Sequence, residues 1–276
     1  MVNIVSRYVI GLEEANRFDQ FFASPYAKDF KRFWGFDARQ GYDSGLFDVI
    51  TFKNQVGRLP GNGEVGCTWS HLNVYKRFLE DSVNDDDILI VAEDDALIDA
   101  DVDAMVLKAF KLYPSLGIVN LADGYMWEAH RQNPYYPYSR ISLLSKFVDF
   151  KHRVGPYGGE LTCTGLYAIT RKAAQSILKI LESNNDQPYW YADNWALFAS
   201  EGGIDIYALR PGICNWAGGS TVADYTFVDV AYNWRQNDKA SLIKRIRGSL
   251  APRARWSNFK TSLEATKKHI AQMRAR

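Results

Sequence analysis

Ile88-Leu89-Ile90-Val91-Ala92-Glu93-Asp94-Asp95 sets five apolar residues directly against three carboxylates. A short apolar run without polar alternation is what a parallel strand covered on both faces looks like. The charges that end it cannot follow it into a core. Two unit charges about 5 Å apart repel by roughly 3 kcal/mol at an effective dielectric near 20, so the triplet calls for a cation, a proton or open solvent. Carboxylate oxygens alone suit Mg²⁺ or Mn²⁺ better than zinc. If the backbone stays extended, Glu93 and Asp95 project to one side and Asp94 to the other. Open α/β sheets bind ligands beyond the C-terminal ends of their strands, which is where the triplet falls. The other reading is a solvated turn, with Asp95 or Asp99 capping the next helix. Asp85-Asp86-Asp87, before the same run, reads as a solvated loop away from the site.

Outward from this strand, apolar runs alternate with helical patterns. Ile4 to Ile10 reads as a first strand and Glu13 to Ala23 as a helix, while Arg32 to Phe36 and Asp48 to Phe52 read as further strands. A loop with Pro60 and three glycines, Lys53 to Gly63, precedes a long helix from Glu64 to about Ser82. That helix carries Val65, Trp69, Leu72 and Leu79 on one stripe and Cys67, His71, Val74 and Phe78 on another, so it should be well buried. After the triplet come a helix from Asp101 to Leu112 and a strand from Leu116 to Leu121. Leu161 to Thr170 reads as a strand, Arg171 to Glu182 and Asp193 to Ser200 as helices, and Ile204 to Leu209 as a last strand. This alternation predicts an α/β fold with a mostly parallel, doubly wound sheet. Ala122 to Glu160 breaks the rhythm with Tyr125, Trp127, Tyr135, Tyr136 and Tyr138, and reads as a long binding loop whose aromatics either stack on sugar faces or pack the loop down.

A length of 276 residues with 47% hydrophobic content favours one α/β core with added segments, and leaves no room for a disordered reading. Cys67, Cys163 and Cys214 are odd in number and far apart, which predicts a reducing, cytoplasmic setting and no disulfide framework. Cys67 and Cys163 read as small buried residues. No run approaches the roughly 20 apolar residues of a spanning helix. The net charge of +1 hides an asymmetry: from Asp238 to Arg276 eleven Lys/Arg face two carboxylates, a local +9 against about −8 for the rest. Residues 1–237 are therefore expected to form the main domain and 238–276 a basic helical segment.

Three further stretches carry a resemblance. Gly63-Glu64-Val65-Gly66-Cys67-Thr68-Trp69-Ser70-His71 leads into the long helix ahead of the strand and its Glu93-Asp94-Asp95. Thr164-Gly165-Leu166-Tyr167-Ala168-Ile169-Thr170-Arg171-Lys172-Ala173-Ala174 and Ala192-Asp193-Asn194-Trp195 follow later. Together, over about residues 4 to 215, they resemble glycosyltransferase family 25, which includes lipooligosaccharide galactosyltransferases of bacteria and collagen galactosyltransferases. The resemblance implies a GT-A fold, a UDP-sugar donor, inversion at the anomeric carbon and a divalent metal, Mn²⁺ or Mg²⁺, holding the diphosphate. It implies Glu93 and Asp95 as metal ligands, with Asp94 shared or facing ribose. Glu64, Ser70 and His71 are expected to border the nucleotide pocket, and Asp37, in Gly35-Phe36-Asp37-Ala38, to contact the uridine. A lone helical His such as His71 is otherwise a satisfied core residue.

An inverting transfer needs one carboxylate to take the acceptor's proton. Asp193 is expected in that role, or else as the N-cap of the helix it opens; Asp123, Glu128 and Glu160 are rivals. The acceptor would be a saccharide or lipid-linked glycan such as lipooligosaccharide. At the basic end, Trp256, Phe259, Leu263, Ile270 and Met273 fall on one helical stripe beside Lys260, Lys267, Lys268 and Arg274, with Leu242, Ile243, Ile246 and Leu250 on a shorter stripe upstream. Such a helix either lies peripherally on an anionic membrane, the inner face of the cytoplasmic membrane, or packs on its own domain. Nucleic acid is not an expected partner, since the body is acidic and no recognition motif occurs. Two other functions remain: a non-catalytic sugar- or nucleotide-binding relative of the same fold, or a Mg²⁺-dependent phosphotransfer protein using the acidic triplet with Thr170 and Lys172.

Overall fold

The computed structural model describes residues 2–13, 17–122, 140–216 and 252–274. Strand β1 (Asn3–Gly11) runs into helix α1 (Arg17–Phe22), and β2 (Lys31–Trp34) returns beside β1 in parallel. Asp48 to Phe52, expected as a strand, is instead the start of helix α2 (Val49–Val56). The β-branched Val49, Ile50 and Thr51 suggested a strand, but the ends decide: Asp48 accepts the Thr51 N–H at 2.9 Å, and Gly57 closes the helix with φ 80°.

Helix α3 (Asn62–Asp81) lies across the sheet and buries residues on both predicted stripes, Val65, Leu72, Val74 and Phe78 among them. Gly66 lets it approach the chain after β2: a Cβ there would sit 2.8 Å from the Phe36 carbonyl oxygen. Strand β3 (Asp87–Glu93) is parallel to β1 and buried along its length, as its composition predicts. Asp87, read as part of a solvated loop, is buried and accepts the backbone N–H groups of Val83 and Asn84. After Glu93 the chain turns at Asp94-Asp95 into the short β4 (Ala96–Ile98), so the triplet is not extended.

Helix α4 (Val102–Leu112) and β5 (Ile118–Asn120) follow. The described part of the expected long loop holds a hairpin, β6 (Lys146–Phe147) with β7 (Arg153–Pro156). Its aromatics 125–138, with Asp123 and Glu128, lie outside the described residues, as do the stripe 242–250 and the expected boundary at 237/238. Strand β8 (Leu166–Thr170), helices α5 (Arg171–Ser183) and α6 (Trp195–Ser200), β9 (Ile206–Arg210), β10 (Cys214–Trp216) and α7 (Pro252–Arg274) complete the described chain.

Eight strands form one sheet in the order β2-β1-β3-β8-β5-β9-β7-β6, with β4 and β10 paired separately. Strand β8 is antiparallel to both β3 and β5, and β7 to both β9 and β6, so these two oppose the direction of the other six. This mixed α/β sheet is compatible with the expected GT-A-type fold. Successive residues of β3 feed opposite cores: Leu89 and Val91 join the one under α3 and α5, and Ile88, Ile90 and Ala92 the one under α1 and α4.

Helix α7 packs on its own domain, but not by the predicted stripe. It buries Ser262, Ala265 and His269, whereas Phe259 and Met273 are exposed. His269 meets the rings of Tyr113 and Tyr207, and Thr266 accepts the Leu143 N–H at 2.9 Å. The polar groups of the inner side find partners in the domain, so that side docks and the apolar flank stays out. No helix among the described residues is long and apolar enough to cross a membrane.

Candidate active site

The C-terminal ends of β1 and β3 and the start of the opposed β8 meet at one sheet edge, because Ala92 pairs with Leu166 and Ile10 with Glu93. The acidic triplet stands there. Glu93 faces inward from the strand end: its Oε1 accepts a hydrogen bond from the Thr164 hydroxyl and lies 3.6 Å from Nε2 of His71. Asp94 and Asp95, on the turn, both face Arg17 of α1, whose Nη1 is 3.7 Å from Asp94 Oδ1 and 3.6 Å from Asp95 Oδ2.

Crowding of like charge in a poorly solvated place sets the electrostatics. Burial pushes the Asp95 carboxyl up to about 7, with Glu93 and Asp94 adding to it and Arg17 opposing. Burial also raises Asp94, against the pull of Arg17. Burial opposes ionisation of Glu93 too, yet its contacts with His71 and Thr164 outweigh this and hold it below its ordinary value. The Asp95 Oδ1 atom is buried and has no hydrogen-bond partner among the described residues.

Asp193 reaches the same edge from the loop before α6. Its Oδ2 accepts the Cys163 N–H at 2.6 Å, and Cys163 holds a left-handed φ of 81° to donate it. The helix cap is Asn194, which accepts the Leu197 N–H at 3.2 Å, so the capping role considered for Asp193 belongs to its neighbour. Burial raises the Asp193 carboxyl and the nearby charge of Glu93 adds to this, while the Cys163 N–H pulls the other way.

The remaining predicted residues divide. His71 is buried beside Glu93, with Nδ1 2.8 Å from the Tyr167 hydroxyl, itself 2.7 Å from that of Tyr75. Ser70 accepts the Phe36 N–H at 2.8 Å and donates to the Gly66 carbonyl at 2.6 Å, pinning the turn that carries Asp37. Asp37 is exposed and paired with Arg39 at 2.7 Å, whose hydrogen bonds hold its carboxyl below the ordinary value. Glu64 closes the α3 N-terminus by accepting the Gly61 N–H at 2.8 Å and pairing with Arg58 at 2.6 Å. The rival Glu160 is exposed, near Tyr191.

Arg17 and Thr164 were not singled out from the sequence. Arg17 is the first basic residue after β1, a signal that composition alone does not rank. Cys67 and Cys163, read as small buried residues, are half-buried; Cys67 lies one helical turn before His71, and the desolvation of its sulfur pushes the thiol well up. The phosphotransfer arrangement fails on topology: Thr170 pairs with Ile88, at the opposite end of β3 from Glu93, and caps α5.

No curated protein matches the chain. Among solved structures, the crystal structure of A197 from STIV is 12% identical, with a TM-score of 0.37 over 82% of this chain and 98% of that one. The profile of glycosyltransferase family 25 (LPS biosynthesis protein) matches residues 4–194, a span that holds Arg17, Cys67, His71, the triplet, Thr164 and Asp193. Most of the sequence is thus matched, including every group gathered at the sheet edge, and the chain belongs to glycosyltransferase family 25.

Proposed function

We propose that this protein is an inverting, metal-dependent glycosyltransferase that moves a hexose such as galactose from a UDP-sugar to a saccharide acceptor such as lipooligosaccharide. The observation that carries this reading is the convergence of Asp193 with Glu93, Asp94 and Asp95 at one sheet edge, where burial raises the Asp94, Asp95 and Asp193 carboxyls while His71 and Thr164 keep Glu93 charged.

The donor set fits a divalent cation. Asp94 and Asp95 share the guanidinium of Arg17 beside Glu93, and a buried Asp95 oxygen has no partner among the described residues. Glu93 and Asp95 would hold the ion, with Asp94 toward the nucleotide. Bound there, it would offset the negative charge that develops on the departing UDP. Asp193 supplies the base: the acceptor hydroxyl oxygen attacks the anomeric carbon, its proton passes to Asp193, and UDP leaves with the bonding pair on the opposite face. A carboxyl raised by burial is a stronger base than a solvated one, and the Cys163 N–H fixes its direction.

The acceptor reading includes a lipid-linked glycan at the inner face of the cytoplasmic membrane. Its support is a surface made by α7 and the β6–β7 hairpin. Of the twelve exposed large hydrophobic residues described, Phe147, Phe150, Phe259 and Met273 fall there, and Leu143 and Leu144 lie just before β6. Lys146, Lys151, Lys267, Lys268 and Arg274 are exposed on the same two segments, and each Lys or Arg engaged on an anionic surface contributes about 1 kcal/mol.

A thermal-shift panel of UDP-sugars with Mn²⁺ or Mg²⁺, followed by an assay of UDP release with glycan acceptors, tests the reading. A melting temperature raised by one UDP-sugar only with the ion present is the expected result. If no nucleotide sugar shifts it and no acceptor elicits UDP, the transferase assignment fails.

A further inference from the structure

Cys67 and His71 stand four residues apart on α3 and so share a face, turned toward the last residue of β3. The Cys67 sulfur, a His71 ring nitrogen and a Glu93 carboxylate oxygen all lie within 4.8 Å of one another. Two features set this trio apart from a chance cluster. Nε2 of His71 has no hydrogen-bond partner among the described residues, although the side chain is only 2% exposed. Its other nitrogen, Nδ1, is held by the Tyr167–Tyr75 hydroxyl pair, which fixes the ring with Nε2 toward Glu93. Glu93 Oε1 is oriented in turn by the Thr164 hydroxyl. Each of these two ligand groups therefore has a second group behind it that sets its direction, the arrangement found around bound metals.

From this geometry we infer that Cys67, His71 and Glu93 form a binding site for a zinc-class divalent ion, with a fourth position open. The donor chemistry selects the metal. A thiolate and an imidazole prefer Zn²⁺ or Co²⁺, whereas the all-oxygen set of Glu93 and Asp95 prefers Mg²⁺ or Mn²⁺. Binding would displace the Cys67 thiol proton to solvent and form one bond each to sulfur, nitrogen and oxygen, with no change in oxidation state. Glu93 can serve both sites because a carboxylate has two oxygens, and Oε1 is the one turned to His71. The inference rests on the trio's geometry and not on the transferase reading.

Cobalt titration of the full-length, metal-stripped protein tests it, because a thiolate bound to Co²⁺ gives a near-ultraviolet charge-transfer band. One equivalent of Co²⁺ should produce the band and one equivalent of Zn²⁺ should abolish it by displacement. Cys67→Ser should remove the band, and His71→Asn should weaken Co²⁺ binding at least tenfold. Asp95→Asn should leave both intact. Absence of the band in the wild-type protein overturns the site, and that measurement holds even where a variant fails to fold. So does a band that survives in Cys67→Ser, which would place the metal on another cysteine. A protein that releases UDP with Mn²⁺ yet never shows the band keeps the transferase reading and loses this one; a band without any UDP-sugar binding does the reverse.

Discussion

Asp193 Oδ2 accepts the backbone N–H of Cys163 at 2.6 Å, and the next residue, Thr164, donates its hydroxyl to Glu93. One short loop thus orients the proposed base and the innermost residue of the acidic triplet together. Asn in place of Asp193 keeps an acceptor for the Cys163 N–H but cannot take a proton. Asp193→Asn should therefore melt within about 2 °C of the wild type while turnover falls by about 10²–10⁴. Asp193→Ala leaves that N–H unsatisfied, at about 1–3 kcal/mol, and should also lose stability. Calorimetry alongside a UDP-release assay separates the two effects; equal activity in Asp193→Asn would remove Asp193 as the base.

The core was legible in the sequence because β3 is an unbroken apolar run and α3 carries two apolar stripes, and the family motifs fall on them and on the start of α5. What stayed hidden was set by partners distant in sequence. Strand β8 has the composition of any buried strand, and only its pairing reverses it between β3 and β5. Asp48 to Phe52 reads as a strand because β-branched residues weigh that way, whereas Asp48 and Gly57 at the ends stabilise a helix. The triplet was visible as charge at a strand end. Its turn at Asp94-Asp95 and its counterion Arg17 were not, since nothing in residues 88–95 encodes what α1 brings to them.

Asp95 gives a pH dependence of definite sign. In the folded, metal-free protein it keeps its proton to about pH 7, against an ordinary value of 3.8. The folded state binds more protons than the unfolded chain between those values, so this contribution is complete below about pH 4 and is lost as the pH rises to about 7. Denaturant melts from pH 4 to 8 in chelator should show the decline, and Asp95→Asn should flatten it. Mn²⁺ competes with that proton, so it should raise the melting temperature more at pH 7.5 than at pH 5. An unchanged slope in Asp95→Asn would place the titration elsewhere.

Arg17 faces two carboxylates at 3.6–3.7 Å, and its removal takes away the guanidinium that faces them among the described residues. Arg17→Met should destabilise the metal-free protein by about 1–3 kcal/mol, roughly 2–8 °C in melting temperature. Mn²⁺ should recover much of the loss, because a cation replaces the missing charge. Comparing the melting-temperature gain on Mn²⁺ addition in the two proteins checks this: the gain should be larger for Arg17→Met, and a smaller gain would mean that Arg17 helps hold the ion's site open rather than neutralising it.

The surface shared by α7 and the hairpin makes separable predictions for its apolar and docking parts. Phe150 is 95% exposed at the hairpin tip and Phe147 58%, so replacing both with Ser removes apolar area without opening a core. Phe147→Ser/Phe150→Ser should keep the wild-type melting temperature and UDP release with a soluble acceptor, yet lose at least tenfold in cosedimentation with phosphatidylglycerol-containing vesicles. Gly158 tests the docking of α7, since a Cβ there would lie 2.3 Å from the Thr261 carbonyl oxygen, a contact no rotamer relieves. Gly158→Ala should force the helix away from β7, exposing Ser262 and His269 to solvent and making residues 252–274 cleavable by trypsin at Lys260, Lys267 and Lys268. Vesicle binding of this variant then discriminates between two sources of affinity. If the helix alone supplies it, binding persists after the helix is displaced; if helix and hairpin must present their apolar residues side by side, binding falls as far as in the double Ser variant.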